Sequence, residues 1–278
     1  MTEFVTCEVT DKVALVTLNR PERLNAIAGD MGHLYDQIMV ALAHNETVRS
    51  VVLTGAGRSF SAGADMQQLD RAAKSKSSKP KIPRAGEPGG AYTKLEGDFP
   101  SELLARFAVT QALPQPVIAA VNGVCAGSAM MMAAMCDIRM ASENAYFLTP
   151  YSRRALPAET GIAHVLQRLI GASNAADMLL TARRIPANEA LRWGLVSNVL
   201  PADELLPYAM ETAREMANQM SPRALRIIKK QLWDARHQTF FEALDQSMLE
   251  TRSALDSEDF KEGIRHFIEK RQPQFVGR

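Results

Sequence analysis

The chain of 278 residues sets 32 basic against 31 acidic side chains, a balance that gives no sign of a general nucleic-acid or membrane surface, so an anionic partner must be met locally. The length suits an α/β core with an appended helical region. Cys7, Cys125 and Cys136 lack metal-ligand spacing and suit a reduced, cytoplasmic compartment better than a disulfide scaffold; all three read as small buried hydrophobes. The first twenty residues have no basic stretch followed by an apolar one, and no run approaches the roughly eighteen apolar residues of a membrane span. His33, His44, His164, His237 and His266 form no cluster, and no metal is implied.

Phe4 to Thr10 and Val13 to Asn19 alternate apolar and polar residues around Asp11-Lys12, predicting a hairpin that Pro21 ends. Helical spacing from about Asp30 to Ala43 puts Met31, Leu34, Ile38 and Leu42 on one face, and Ser50 to Thr54 then reads as a buried strand. Strand, helix, strand begins a parallel, right-handed crossover architecture. From Arg71 to Phe99 the composition turns to Lys, Ser, Pro and Gly, predicting a mobile excursion or lid, either solvated or offering lysines to phosphates. A helix is expected from about Ser101 to Leu113, a pair of helices over Ile162–Ile170 and Asn174–Ala182 meets at Gly171, and almost everything after Pro201 is helical. Ser221-Pro222 and Ser257 read as helix starts; Leu205, Ala209, Ala213 and Ala217 mark one apolar face, and Phe260, Ile264, Phe267 and Ile268 another.

The segment from Pro116 to Asp137, PVIAAVNGVCAGSAMMMAAMCD, carries the clearest functional signal. Val117 to Val121 reads as a buried strand; Ala126-Gly127-Ser128-Ala129 then opens a helix that is apolar on every face. Small side chains there let a ligand approach the unpaired N–H groups of a helix start, or simply let a buried helix pack closely. A second strand ending in such a turn lies upstream, in Gly55-Ala56-Gly57-Arg58-Ser59-Phe60-Ser61-Ala62-Gly63-Ala64-Asp65. Each turn could aim one N–H at a shared carbonyl oxygen.

With Asn19-Arg20-Pro21, Asn25-Ala26, Ser61-Ala62-Gly63-Ala64-Asp65, Pro116 to Gly123, Cys136-Asp137, Gly194-Leu195-Val196 and Phe267-Ile268-Glu269-Lys270-Arg271 in order, the chain resembles the crotonase (enoyl-CoA hydratase/isomerase) superfamily. The resemblance implies a spiral of ββα units over about residues 1–202, with the basic insertion at about 71–99, and a C-terminal helical oligomerisation region over 203–278. It implies a homotrimer, or a hexamer as a dimer of trimers, acting on an acyl-CoA substrate. Coenzyme A enters as part of that substrate, with no other cofactor. The matching enolate-stabilising N–H groups belong to Ala64 and Ser128, with serine where glycine is usual. The positions of the two hydratase carboxylates match Met131 and Tyr151, which argues against water addition by the usual route. Glu159, nine residues after Pro150, matches the single base of peroxisomal-type Δ3,Δ2-enoyl-CoA isomerases, and a 3-enoyl to 2-enoyl proton shift is expected. Substrate contacts are expected from Arg23, Leu24, Ala62, Gly63, Asp65, Met66, Gly127, Met131, Tyr151, Phe267 and Lys270, with Arg271 as an alternative to Lys270 and Asp65 also readable as structural.

Other readings compete. Gly55-Ala56-Gly57 suggests a dinucleotide loop, but Phe60 stands where its third glycine belongs. Gly123-Val124-Cys125-Ala126-Gly127 has the form of a nucleophile elbow, with Asp203 and His237 or His266 following in hydrolase order. The resemblance also leaves open an enoyl-CoA hydratase or another crotonase reaction, decarboxylation or thioester hydrolysis, with an atypical site, or a protein that binds acyl-CoA without turning it over.

Overall fold

The computed structural model describes residues 4–74 and 107–278. The basic stretch beyond Lys74 and the first part of the helix expected from Ser101 lie outside the described residues.

The alternating N-terminal segments form the expected hairpin: β1 (Val5–Thr10) pairs antiparallel with β2 (Val13–Leu18). The turn between them holds Asp11 and Lys12 in the left-handed region, at φ 51° and 65°. Helix α1 (Met31–Ala43) crosses over to β3 (Ser50–Gly55), which lies parallel to β2 and is buried along its whole length, as its unbroken apolar run requires.

From β3 onward the chain repeats one unit. A strand in a large sheet is followed by a short strand in a second sheet and then by a helix. The first turn of the spiral is β3, β4 (Ser59–Ser61) and α2 (Met66–Lys74). After the short helix α3 (Val109–Ala112), the second is β5 (Val117–Val121), β6 (Val124–Ala126) and α4 (Ser128–Ala134). The third is β7 (Ile138–Ser142), β8 (Tyr146–Leu148) and α5 (Ile162–Thr181). With β9 (Ile185–Pro186), α6 (Ala187–Arg192) and β10 (Asn198–Leu200) added, the strand orders among the described residues are β1-β2-β3-β5-β7-β10 and β4-β6-β8-β9. Parallel pairing of β3 with β5, β5 with β7, β4 with β6 and β6 with β8 makes the spiral of ββα units explicit.

The core lies between the two sheets and their helices, where Met130, Met131 and Met132 are all buried beside Phe60, Phe147 and Leu53. The outer face of the large sheet is covered by α7 (Leu205–Gln219), which presents Leu205, Ala209, Ala213 and Ala217 at four-residue spacing to Val52, Ile118 and Ala120. Alanine there lets the helix approach closely, and Ser50 donates to the Ala213 carbonyl at 2.8 Å.

Helices α8 (Pro222–Asp234), α9 (Phe240–Leu255) and α10 (Glu258–Glu269) follow. Ser221 and Ser257 cap α8 and α10 as expected, and Thr239 with Glu242 adds a capping box to α9. Buried Lys229 ties α8 to the core: its Nζ lies 2.8 Å from Asp137 and donates to the carbonyls of Gln115 and Thr110. Phe240, Phe241, Leu249, Phe267 and Ile268 are exposed on α9 and α10.

Several expectations are corrected. Helix α4 begins at Ser128, because Ala126 pairs with Leu148 as the last residue of β6. The composition change at Arg71 does not end α2, which runs to Lys74. In the expected helix up to Leu113, Phe107 has φ 68°, and only Val109–Ala112 is helical among the described residues. The expected division at Gly171 is present, where φ 78°, ψ 161° separates two helical stretches within α5. Cys7 is exposed, since β1 is the edge of the large sheet and pairs on one side only. Glu159 stands in the loop before α5.

Candidate active site

The two small-residue turns meet. A Cβ built on Gly63 would stand 2.3 Å from the Ala126 carbonyl oxygen and 3.4 Å from the Ser128 nitrogen, so the backbones touch where any side chain would part them. Gly63 has φ +79° and Gly127 has φ +56°, ψ −120°, conformations that glycine adopts without steric cost.

The first turn is fixed by backbone bonds that leave one donor over. Ala62 N–H donates to the Leu24 carbonyl, Ile27 N–H to Gly63, and Asp65 N–H to Ile27, at 2.8 to 3.0 Å. Gly63 N–H donates to Ser61 Oγ at 3.1 Å. Ala64 N–H has no acceptor among the described residues. In the second turn Gly127 N–H donates to the Leu148 carbonyl at 3.0 Å, while Ser128 N–H opens α4 and has no intrahelical acceptor. Two backbone donors on touching turns can together hold a carbonyl oxygen on which negative charge develops.

Two asparagines and an ion pair support this arrangement. Asn25, wholly buried, donates through Nδ2 to the Ala56 and Ser59 carbonyls and accepts from Arg20 N–H. Asn122, just after β5, donates to the Gly55 and Gly57 carbonyls at 2.8 Å and so ties the β5–β6 connection to the β3–β4 connection. The Asp65 carboxylate is engaged on both oxygens, by Arg20 at 2.7 Å and by Gln67 N–H at 2.8 Å. Its pKa is lowered, first by the Arg20 hydrogen bond and then by the Gln67 N–H, which identifies Asp65 as a brace for the start of α2.

The rest of the candidate set is less uniform. Arg23 is exposed and Leu24, at φ 52°, is half-buried beside Ala62; Met66 is 54 % exposed at the start of α2. Met131 is buried in α4. Phe267 and Lys270 are exposed at the end of α10, where Lys270 is the left-handed C-cap. Arg271 is ion-paired with Glu262 and Glu269.

Tyr151 is 5 % exposed, and its hydroxyl has no partner among the described residues; neither has the Ser128 hydroxyl. Burial first, then the charge of Glu159, pushes the phenol up, so it stays a neutral O–H donor. Glu159 is exposed near this phenol, and its carbonyl accepts from Ile162 N–H at 3.1 Å. Cys125 is wholly buried and burial pushes its thiol well up, which removes the thiol-nucleophile reading.

A family description, Enoyl-CoA hydratase/isomerase, matches residues 8–85 and 87–278. The 1,2-epoxyphenylacetyl-CoA isomerase of Escherichia coli is 33 % identical over 100 % of both chains. The peroxisomal Delta(3,5)-Delta(2,4)-dienoyl-CoA isomerase of Arabidopsis thaliana is 30 % identical over 99 % of this chain and 96 % of its own. Among solved structures, an enoyl-CoA hydratase from Bacillus anthracis superposes with a TM-score of 0.86 at 28 % identity, covering 99 % of this chain and 100 % of the other. By sequence and by fold, the chain belongs to the enoyl-CoA hydratase/isomerase family of the crotonase superfamily.

Proposed function

We propose that this enzyme moves a double bond in an acyl-CoA thioester, from 3-enoyl to 2-enoyl, with Glu159 as the base. The observation that carries this reading is the acid inventory. Met131 and Tyr151 offer no carboxylate to hold and deprotonate a water, whereas Glu159 is close enough to raise the Tyr151 phenol. The thioester carbonyl would accept from Ala64 N–H and Ser128 N–H, which acidifies C2 by stabilising the enolate. The Glu159 carboxylate takes the C2 proton, the electrons delocalise through the dienolate, and the carboxyl group, whose proton exchanges with solvent, delivers a proton to C4. One C–H bond breaks, one forms, and nothing is consumed.

Lys270 would meet a coenzyme A phosphate as a point charge. The exposed apolar residues of α9 and α10 would pack in a cytoplasmic trimer or a dimer of trimers. The relatives' names divide between hydratase and isomerases, so the decisive test compares both reactions. Wild type should convert 3-enoyl-CoA faster than it hydrates crotonyl-CoA, and Glu159→Gln should lose the isomerisation while keeping its fold. Efficient hydration by wild type, or full isomerisation by Glu159→Gln, would refute the assignment.

A further inference from the structure

We infer that Tyr151 is a specificity-determining residue whose phenol donates a hydrogen bond to an oxygen on the substrate's acyl chain, beyond the thioester carbonyl. The inference rests on the acyl-CoA reading above and names a substrate class within it: thioesters whose first chain carbons bear an acceptor oxygen.

The placement of the phenol carries the argument. Tyr151 follows Thr149-Pro150 at the end of β8, where Thr149 Oγ1 donates to the Met178 carbonyl at 2.8 Å and fixes the backbone. The Pro150 ring reaches to 4.0 Å from a Cβ built on Gly127, so the segment packs directly on the turn that presents Ser128 N–H. Tyr151 is the next residue, and its hydroxyl lies within electrostatic reach of Cys125, three residues before Ser128, and of Glu159. In this proposal the first chain carbons of a thioester held at the Ser128 N–H lie beside this phenol.

The phenol is also chemically unsatisfied. A buried hydroxyl that makes no hydrogen bond is costly, and phenylalanine would fill the same space without that cost. Both the Tyr151 and Ser128 hydroxyls stand unpartnered beside one turn, among the described residues. A site with an unpaired buried donor favours the ligand that pairs it over an isostere that does not.

The test is a pair of CoA thioesters differing by an oxygen against a methyl at C3, 3-oxobutyryl-CoA and 3-methylbutyryl-CoA, titrated calorimetrically. Wild type should bind the oxo ester about tenfold or more tightly. In Tyr151→Phe that preference should fall to about one, with 3-methylbutyryl-CoA bound as well as before. Glu159→Gln should retain the preference, since the titration reads binding and not proton transfer. Equal binding of the two esters by wild type, or a preference that survives in folded Tyr151→Phe, overturns the assignment and leaves the acyl-CoA reading standing. Binding of neither ester would overturn both. The wild-type ratio decides the matter even if the variant does not fold.

Discussion

The contact between the two turns can be tested by adding one methyl group. In Gly63→Ala the new Cβ would sit 2.3 Å from the Ala126 carbonyl oxygen, whereas ordinary contact begins near 3.4 Å, so the second turn must retreat by about 1 Å. The substitution also forces a side chain onto a residue at φ +79°, which costs about 1–2 kcal/mol in itself. Gly29→Ala is the control. Gly29 has φ +53° with nothing within 4 Å of the added Cβ, so it carries the backbone strain without the collision. A displacement of about 1 Å between paired donors lowers turnover by about a hundredfold. Exchange of the C2 protons of a saturated acyl-CoA in deuterated water, followed by mass spectrometry, reads enolate formation directly. Gly63→Ala should lose about a hundredfold in exchange rate while Gly29→Ala loses only stability. Equal exchange in the two folded variants would refute the two-turn site.

Other consequences follow from the ion pairs. Lys229→Met removes the cation beside the mostly buried Asp137 carboxylate, which keeps the Val117 N–H, and removes the donor to two carbonyls, so urea unfolding should show a loss of about 3 kcal/mol; a loss under about 1 kcal/mol would mean that α8 is not anchored there. Asp65 has a folded pKa below its unfolded value of about 3.9, so its contribution is present above that pH and disappears as pH falls through the lower folded value. Wild type should therefore lose more stability than Asp65→Asn between about pH 5 and 3, and parallel losses in the two proteins would contradict the brace.

Much of this arrangement was legible in the residues. The hairpin, β3 and β5 announced themselves by alternation or by continuous apolar runs, and the caps at Ser221 and Ser257 by residue type. The second sheet was not legible, because β4, β6 and β8 are three residues long and carry no period. For the same reason residue pattern alone places Ala126 in the helix, whereas it pairs with Leu148 in β6. Lys229 sits in a buried ion pair that no local pattern reveals, since its partner lies in another element. At the site, the turns could be found from their glycines and alanines, but their contact depends on parallel pairing of β4 with β6. The unpaired phenol of Tyr151 is a property of packing and has no sequence signature.

The proton shift itself is tested most directly by the fate of deuterium. A 3-enoyl-CoA is incubated with enzyme in deuterated water, and the label in the 2-enoyl product is located by mass spectrometry, for wild type and for Glu159→Gln. One carboxylate acting at both carbons predicts rapid product formation by wild type, label confined to C2 and C4, no 3-hydroxyacyl product, and no conversion by Glu159→Gln. A 3-hydroxyacyl-CoA as the main product, or undiminished isomerisation by folded Glu159→Gln, would contradict it.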